Sequence, residues 1–297
     1  MAGLVRRVRV ASGSILSGQK RREQVRNVLL FLITVVLMIF VVFPYYWTII
    51  TTLKPPEEQF ERTPRFIPKT WTLDNYRWVL TQKDFLRSLL NSSIVGTTTA
   101  ILATSLNALA GYSLSRFRYR GKNLIIGFLL STQMMPGVLT IVPLFMIFAR
   151  LKLINTYWGL ILGYCTFSVP FSLLMLRGFF ETVPTELEDQ AMIDGCSRLG
   201  AFFRVVVPLA LPGLTTVALF VFVGVWNDLL FSMVLSRDIT TKTAAVWLST
   251  MITRQFAFTN WGGMIAEAAV MTLPVAVVFV FLQKYLIEGL TAGALKG

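Results

Sequence analysis

The residues best placed to do chemistry lie in a polar segment, residues 183–208, which separates two apolar runs and reads VPTELEDQAMIDGCSRLGAFFRVVVP. Three of its acids, Glu186, Glu188 and Asp189, fall in the first turn of a predicted helix, where the positive end of the helix dipole favours carboxylates. Acids in this setting are suited to pairing with the cations of a partner, and the polar composition predicts that the segment faces water.

The polar segment predicts two short helices around a glycine. Thr185 and Glu188 have the spacing of a capping box, and Gly195 stands where a left-handed C-terminal cap is expected. Ser197 can cap the second helix. That helix carries three apolar side chains that could supply docking area: Leu199, Phe202 and Phe203.

Several other kinds of site are disfavoured by the sequence. The chain contains no histidine, and Cys165 and Cys196 have no metal-ligand spacing, so we predict no metal site and no histidine-based catalysis. No phosphate-binding loop occurs, because Gly121 and Lys122 are followed by Asn123. The chain is therefore predicted to carry no ATPase and no cofactor site of its own.

Composition predicts an all-α integral membrane protein. Hydrophobic residues make up 55% of the 297, charged residues 14%, and the mean hydropathy is +0.65, which a soluble domain could not carry without large exposed apolar patches. The net charge of +13 comes from Lys and Arg at the ends of apolar runs. Membrane topology places cations there, so nucleic-acid binding is the weaker interpretation.

Apolar runs of about 20 residues suffice to cross a bilayer, and six such spans are predicted. They run approximately over residues 28–50, 88–114, 124–148, 157–176, 209–235 and 264–287. Basic residues crowd the N-terminus and the short loop Arg116–Lys122, which predicts that both termini and the polar segment are cytoplasmic. Small residues in the second span favour close helix packing, and the Pro and Gly breaks of the third favour burial or a cavity.

The predicted domain organisation has three parts. Residues 1–27 form a basic cytoplasmic N-terminus, and residues 28–288 form the six-helix domain. Within that domain, residues 51–87 form a proline-rich outer loop and residues 177–208 a cytoplasmic coupling loop. Residues 289–297 form a small, flexible cytoplasmic tail.

Any cytoplasmic loop can form short amphipathic helices, so the polar segment alone does not identify a function. Its spacing, however, resembles the cytoplasmic motif of ABC importer permeases, written EAA, three residues, G, nine residues, I, any residue, LP. Asp189, Gln190 and Ala191 match the EAA positions and Gly195 the glycine; Val205, Val207 and Pro208 match the I, L and P positions. Further segments are similar to the MalG-like sugar-importer permeases: GYSLSRFRYRGK, LINTYWGLIL, WNDLLF and GLTAGALKG.

This resemblance implies the type I ABC importer permease fold and an ATP-driven importer of a sugar, oligosaccharide or related solute. It implies that the polar segment docks on a separate ATPase. The residues implied in ATPase coupling are Glu188, Asp189, Gln190, Ala191, Gly195, Leu199, Phe202, Phe203 and Pro208. The C-terminal residues implied to reach into the ATPase dimer are Gly289, Leu290, Thr291, Ala292 and Gly293.

The partners implied are a second, MalF-like permease, two copies of the ATPase, which bind ATP and Mg, an extracytoplasmic solute-binding protein, and lipid. The expected location is a bacterial or archaeal cell membrane. Gln133, Asn227 and Asp228 are candidates for the substrate pathway, because polar groups at membrane depth are functional hypotheses by default. The alternative is an ion-gradient-driven secondary transporter that uses Asp228. An intramembrane enzyme has little support.

Overall fold

The computed structural model describes the backbone of residues 2–254 and 260–294, and the side chains of residues 22–252 and 260–285. Over these residues the regular secondary structure is helical, without strands. The chain divides into two compact units, Met1–Asp74 and Asn75–Gly297. The helical content agrees with the all-α class predicted from composition.

The first unit is built on one long helix, α1 (Ala2–Thr52). The predicted first span lies within it, and Arg22–Thr52 is long and apolar enough to cross a membrane. None of the most apolar window of this helix is buried in the chain. Its side chains are therefore free to face lipid or another subunit.

The proline-rich loop that follows α1 contains a single short helix, α2 (Pro56–Gln59). Polar contacts hold the rest of the loop. The Glu58 carboxylate accepts the backbone N–H groups of Lys69 and Thr70, each at 2.9 Å. The Lys69 N–H, together with that of Thr70, holds the pKa of Glu58 below its ordinary value, because these hydrogen bonds favour the charged form.

Among the residues that the structure describes from Asp74 onward, twelve helices follow. They are α3 (Asp74–Thr81), α4 (Lys83–Arg116), α5 (Lys122–Gln133), α6 (Gly137–Arg150), α7 (Tyr157–Thr182), α8 (Thr185–Ile193), α9 (Arg198–Ala201), α10 (Val207–Leu209), α11 (Leu211–Asn227), α12 (Leu230–Leu235), α13 (Ala244–Arg254) and α14 (Trp261–Ala294). A π-helical turn, Phe202–Val206, joins α9 to α10. Helix α14 continues to Ala294, through most of the segment predicted to be a flexible tail.

The core of the second unit is formed mainly by α4, α7 and α11. Small residues let these helices approach closely: a Cβ added at Gly96 would lie 3.1 Å from the Phe222 ring, and one at Gly111 would lie 3.2 Å from the backbone nitrogen of Arg177. Half of the apolar window of α4 is buried. The prediction that the second span packs inside the bundle is confirmed.

The third predicted span is bent, and a second bend lies where the polar segment meets the fifth predicted span. Helices α5 and α6 meet at 103°, and the Arg198–Leu209 stretch meets α11 at 76°. The breaks follow local chemistry, since Pro136 and Pro212 lie at the starts of α6 and α11 and lack the backbone N–H needed to continue a preceding helix. By length and composition the described residues contain four membrane-crossing helices, or up to six if each bent pair is one span.

The fifth predicted span, 209–235, is also interrupted inside. Helix α11 ends at Asn227, and α12 begins at Leu230. Asp228 takes an extended backbone conformation, and its Oδ2 accepts the backbone N–H of Ser232 in the first turn of α12 at 3.0 Å. The fifth predicted span therefore contains two helices, and the Asp228 carboxylate supplies an acceptor for a backbone N–H at the break between them.

A buried polar cluster fastens the loop after α12 to the start of α4. The Asn91 amide Nδ2 donates to the carbonyl oxygens of Thr240 at 3.1 Å and Lys242 at 2.9 Å. Its Oδ1 accepts the hydroxyl of Tyr157 at 2.7 Å. Asn91 itself is fully buried, while Thr240 is exposed and Lys242 and Tyr157 are half-buried. The cluster therefore holds the 236–243 loop against α4 and α7.

Replacing Asn91 by alanine is expected to destabilise the chain by about 1–3 kcal/mol, because it removes the three hydrogen bonds that this fully buried side chain makes to Thr240, Lys242 and Tyr157. Backbone hydrogen exchange in residues 240–244 should rise in the same variant. The matched control is Ser93→Ala, since Ser93 bonds only to Leu89 in its own helix. Equal thermal unfolding and equal exchange in the two variants would contradict this role for Asn91.

Candidate docking site

The first helix of the polar segment, α8, begins at Thr185 as the sequence predicts, but the predicted capping box does not form. Pro184 occupies the N-cap position, and no side chain caps the helix. The Glu188 side chain is instead directed into the chain, where it meets stronger partners than its own helix start offers. The capping-box prediction was therefore wrong.

The end of α8 and the start of α9 follow the prediction. Gly195 has φ +90, in the left-handed region. The N–H of Cys196 donates to the carbonyl of Ala191 at 3.0 Å and that of Gly195 to Met192 at 3.1 Å, the pair of bonds that closes a Schellman cap. Ser197 then caps α9 by accepting the N–H of Gly200 at 3.1 Å. The two short helices thus meet through a defined reversal of the chain.

A buried ion pair joins α8 to the end of α4. Glu188 Oε1 accepts from Arg116 Nε at 2.5 Å, and the two side chains are only 6% and 8% exposed. Glu188 Oε2 accepts the hydroxyl of Tyr112 at 2.6 Å. A second guanidinium nitrogen of Arg116 donates to the carbonyl of Val183 at 2.8 Å. The carboxylate and guanidinium therefore hold the entry and the first turns of α8 on α4.

Aromatic rings pack around Tyr112, whose hydroxyl donates to the carboxylate of this ion pair. The Tyr112 ring lies 4.6 Å from that of Phe202, 6.1 Å from that of Phe180 and 6.3 Å from that of Phe117, measured between centroids. Phe180 and Phe202 are fully or almost fully buried. Exclusion of water strengthens the attraction between the paired charges. The polar segment is therefore seated on an apolar base with a charged pair at its centre.

The burial pattern corrects two of the predicted docking residues. Glu188 is 5% and Phe202 is 1% exposed, so both are engaged inside this chain and cannot form a docking surface. The remaining predicted residues are reachable: Leu199 and Phe203 are 64% and 59% exposed. Asp189, Gln190, Gly195 and Pro208 are exposed, and Ala191 is half-buried.

Two further apolar side chains of the segment also face outward, Ile193 at 85% and Leu187 at 37% exposure. We use the name exposed apolar set for Leu187, Ile193, Leu199 and Phe203. Large apolar side chains exposed on an otherwise polar segment are typical of a surface that binds another protein. The exposed acids Asp189 and Asp194 lie on the same segment.

The sequence did not reveal Tyr112 and Arg116 as site residues. Arg116 was counted only among the cations that mark a cytoplasmic loop, and Tyr112 only as part of a span. Glu188 is 72 positions after Arg116, so no local pattern connects them. The sequence offered one signal for this contact: Arg116 lies at the end of an apolar span, and the later polar segment contains several acids that could pair with it.

A second polar site lies at the break between α11 and α12. It is a cavity of about 520 Å³ lined by parts of α6, α7, α11 and α12. Asp228 Oδ2 accepts the hydroxyl of Tyr164 at 2.8 Å as well as the Ser232 N–H. Ser172 also lines the cavity; it is fully buried, and its hydroxyl has no hydrogen-bond partner among the described residues. Five aromatic rings complete the lining: Tyr164, Phe167, Phe171, Phe220 and Phe231.

The other predicted substrate-pathway residues are not brought to this cavity. Gln133, at the end of α5, and Asn227, at the end of α11, are exposed and do not line it. The predicted tail contacts, residues 289–293, lie on α14, but their side chains fall outside the described residues.

Glu267, also on α14, is fully buried. The indole N–H of Trp247 donates to its carboxylate, with the nitrogen 3.3 Å from both oxygens.

Comparison with known proteins identifies relatives along almost the whole chain. The permease protein DasC of the diacetylchitobiose uptake system of Streptomyces coelicolor is 36% identical over 89% of this chain and 95% of that protein. SugB, the trehalose transport system permease of Mycobacterium tuberculosis, is 37% identical over 86% of this chain and 92% of its own length. MalG of the trehalose/maltose transport system of Thermococcus litoralis is 32% identical over 93% of this chain and 99% of that protein.

The fold is that of a solved permease chain. A bacterial ABC transporter involved in the import of the acidic polysaccharide alginate contains a chain that matches with a TM-score of 0.77 and 21% identity, covering 90% of this chain and 98% of that one. Residues 103–291 match the family model described as binding-protein-dependent transport system inner membrane component. This range includes the C-terminal end of α4 with Tyr112 and Arg116, the polar segment, and the helices α6, α7, α11 and α12 that line the cavity. The chain therefore belongs to the family of inner membrane components of binding-protein-dependent transport systems.

Proposed function

We propose that this chain is one of two permease subunits of an ATP-driven importer, and that its polar segment docks on a separate ATPase. The observation that carries this proposal is the combination of an exposed apolar set with a buried ion pair beneath it. A segment that transmits force must present a surface to its partner and be fixed to its own body. Leu199 and Phe203 supply the first requirement, and Glu188 with Arg116 supplies the second.

The proposed solute is a sugar or oligosaccharide. DasC, SugB and MalG belong to systems named for diacetylchitobiose, trehalose and maltose, which supports this class. The cavity at Asp228 is chemically suited to such solutes, because aromatic faces pack on sugar rings and carboxylate and hydroxyl groups bind sugar hydroxyls. We assign Asp228 to the solute pathway. Gln133 and Asn227 do not line the cavity and are not assigned a contact with the solute.

The proposed assembly contains a second, MalF-like permease, two copies of the ATPase subunit and an extracytoplasmic binding protein. ATP and Mg bind to the ATPase subunits. The chain spans the cytoplasmic membrane of a bacterium or archaeon several times, with both termini and the polar segment in the cytoplasm. Residues 289–293, at the end of α14, contact the ATPase dimer. Closure of that dimer then drives the permease pair between inward-open and outward-open states.

The ion-gradient alternative is not supported by the family to which the chain belongs. Within the described residues, Asp228 is engaged with Tyr164 and Ser232, which accounts for an acid at this depth without ion coupling. Family membership likewise makes the chain a transport subunit and not an enzyme.

Reconstitution tests the proposed function. The chain is co-expressed with its second permease and ATPase, placed in proteoliposomes and supplied with its binding protein and labelled trehalose, maltose or diacetylchitobiose. We expect uptake of at least one sugar that requires ATP on the ATPase side and survives collapse of ion gradients. Uptake that persists without ATP and stops when the gradients collapse would show that the chain works as a secondary transporter.

Phe203→Ala is expected to weaken binding of the ATPase subunit by roughly 30-fold or more, since truncating a central aromatic contact costs about 2 kcal/mol or more. Binding is measured by titrating purified ATPase against the permease pair in detergent. Phe60→Ala is the matched control, because Phe60 is 61% exposed, close to the 59% of Phe203, but lies in the loop proposed to be outside. Equal affinity in both variants would remove Phe203 from the docking surface.

Gly195→Asp should uncouple ATP hydrolysis from uptake while the protein remains in the membrane. Any side chain at φ +90 is strained, at a cost of about 1–3 kcal/mol, so the reversal between α8 and α9 shifts although the space around Gly195 is open. Uptake per ATP hydrolysed is compared with that of Gly178→Asp, which places the same acid at an exposed glycine in α7 with equally open surroundings. Normal uptake by Gly195→Asp would contradict the role of this reversal.

A further inference from the structure

Helix α4 carries a buried polar cluster toward each end. Toward its C-terminal end, Tyr112 and Arg116 hold Glu188 of α8. Toward its N-terminal end, Asn91 holds the carbonyl groups of Thr240 and Lys242. At about 1.5 Å of rise per residue, roughly 30 Å of helix axis separates Asn91 from Tyr112. One helix therefore connects the polar segment to the 236–243 loop.

The cluster at the N-terminal end includes backbone as well as side-chain bonds. Ser92 Oγ accepts the N–H of Ala244, the first residue of α13, at 2.8 Å. The hydroxyls of Ser232 in α12 and Thr243 lie 2.8 Å apart, and within the loop those of Ser236 and Thr241 lie 3.0 Å apart. The Asn155 side chain, just before α7, accepts the backbone N–H groups of Arg237 and Asp238. The loop is thus bonded to α4, to α12 and to the turn before α7, and Asn91 and Ser92 are the side chains through which a displacement of α4 reaches it.

The contacts of α8 explain why its grip on α4 depends on Glu188. Glu188 is the sole residue of α8 that is buried, while Leu187, Asp189 and Gln190 are exposed. A buried charged pair resists separation because each charge left alone in the interior is strongly disfavoured. Apolar contacts permit sliding, whereas the hydrogen bonds of Arg116 and Tyr112 fix both carboxylate oxygens at defined positions.

We propose that Tyr112 and Arg116 are positioning residues that act through Glu188, so that displacement of the polar segment is passed along α4 to the 236–243 loop. The proposal rests on the function proposed above, in which an ATPase moves the polar segment. It adds that α4 is the helix that receives this movement and that the 236–243 loop is where the movement arrives. The rings of Phe180 and Phe202 pack on the Tyr112 ring and hold it in place beside Glu188.

The test follows the loop directly and needs no solute. Thr240 is exposed, so Thr240→Cys supplies a labelling site, with Cys165→Ala and Cys196→Ser removing the two native thiols. The assembled complex of permease pair and ATPase in proteoliposomes is labelled with a maleimide, with and without ATP. We expect ATP to change the labelling rate in this background. Adding Glu188→Gln, which keeps the side-chain shape and removes the charge, should bring the rate ratio close to one.

Glu181→Gln is the matched control. Glu181 pairs with Arg177 at 2.8 Å at the end of α7, close to the polar segment, but its side chain is 44% exposed and both partners lie on the same helix. Its neutralisation should leave the ATP-dependent ratio unchanged. Tyr112→Phe keeps the ion pair and removes one hydrogen bond, so it should bring the ratio of labelling rates with and without ATP partly toward one. If Glu188→Gln does not accumulate in the membrane, the result for Tyr112→Phe tests the proposal in its place.

The outcomes separate the two proposals. If the ATPase does not copurify with the native chain, the proposed function fails. If the complex assembles but ATP leaves labelling at position 240 unchanged, or if the ATP effect survives in Glu188→Gln and Tyr112→Phe, transmission through α4 is wrong while the docking function stands. Loss of the ATP effect in Glu188→Gln, with copurification and the Glu181→Gln response retained, supports the proposal.

Discussion

The buried ion pair between Glu188 and Arg116 is the contact on which the arrangement of the polar segment depends. Isolated, α8 has nine residues and a weak start, because its N-cap is Pro184 and no side chain satisfies its first N–H groups. Anchored through Glu188, it acquires a defined orientation on α4. That orientation buries one acid and leaves Leu199 and Phe203 on the outside, so the same interaction that stabilises the segment also determines which side chains a partner can reach.

The anchor has a firm support because α4 is packed tightly along its length. Glycines at 96 and 111 bring it against Phe222 of α11 and the backbone of α7. Close backbone approach and interior packing make such a helix resistant to bending. The polar clusters toward the two ends of α4 are then connected mechanically, because a rigid helix transmits a displacement that a flexible helix would absorb.

Asp228, at the break between α11 and α12, has both a structural role and a place in the lining of the cavity. Its carboxylate holds α7 to α12 through Tyr164 and Ser232, which is a structural role. It also lines the cavity together with Ser172, whose hydroxyl has no partner among the described residues. The break in the helix places polar groups beside an aromatic-lined space, and irregular backbone at membrane depth is tolerated where it lines such a space.

The sequence by itself determined the membrane class, the positions of the apolar runs, the start of α8, the left-handed Gly195 and the Ser197 cap, because these depend on composition and on neighbours within a few residues. The spacing around Gly195 also pointed to the family. Only the tertiary structure decided that Glu188 and Phe202 turn inward. Their positions depend on partners distant in the chain. The Glu188 carboxylate can pair with Arg116, instead of capping its own helix, only because folding brings α4 beside α8.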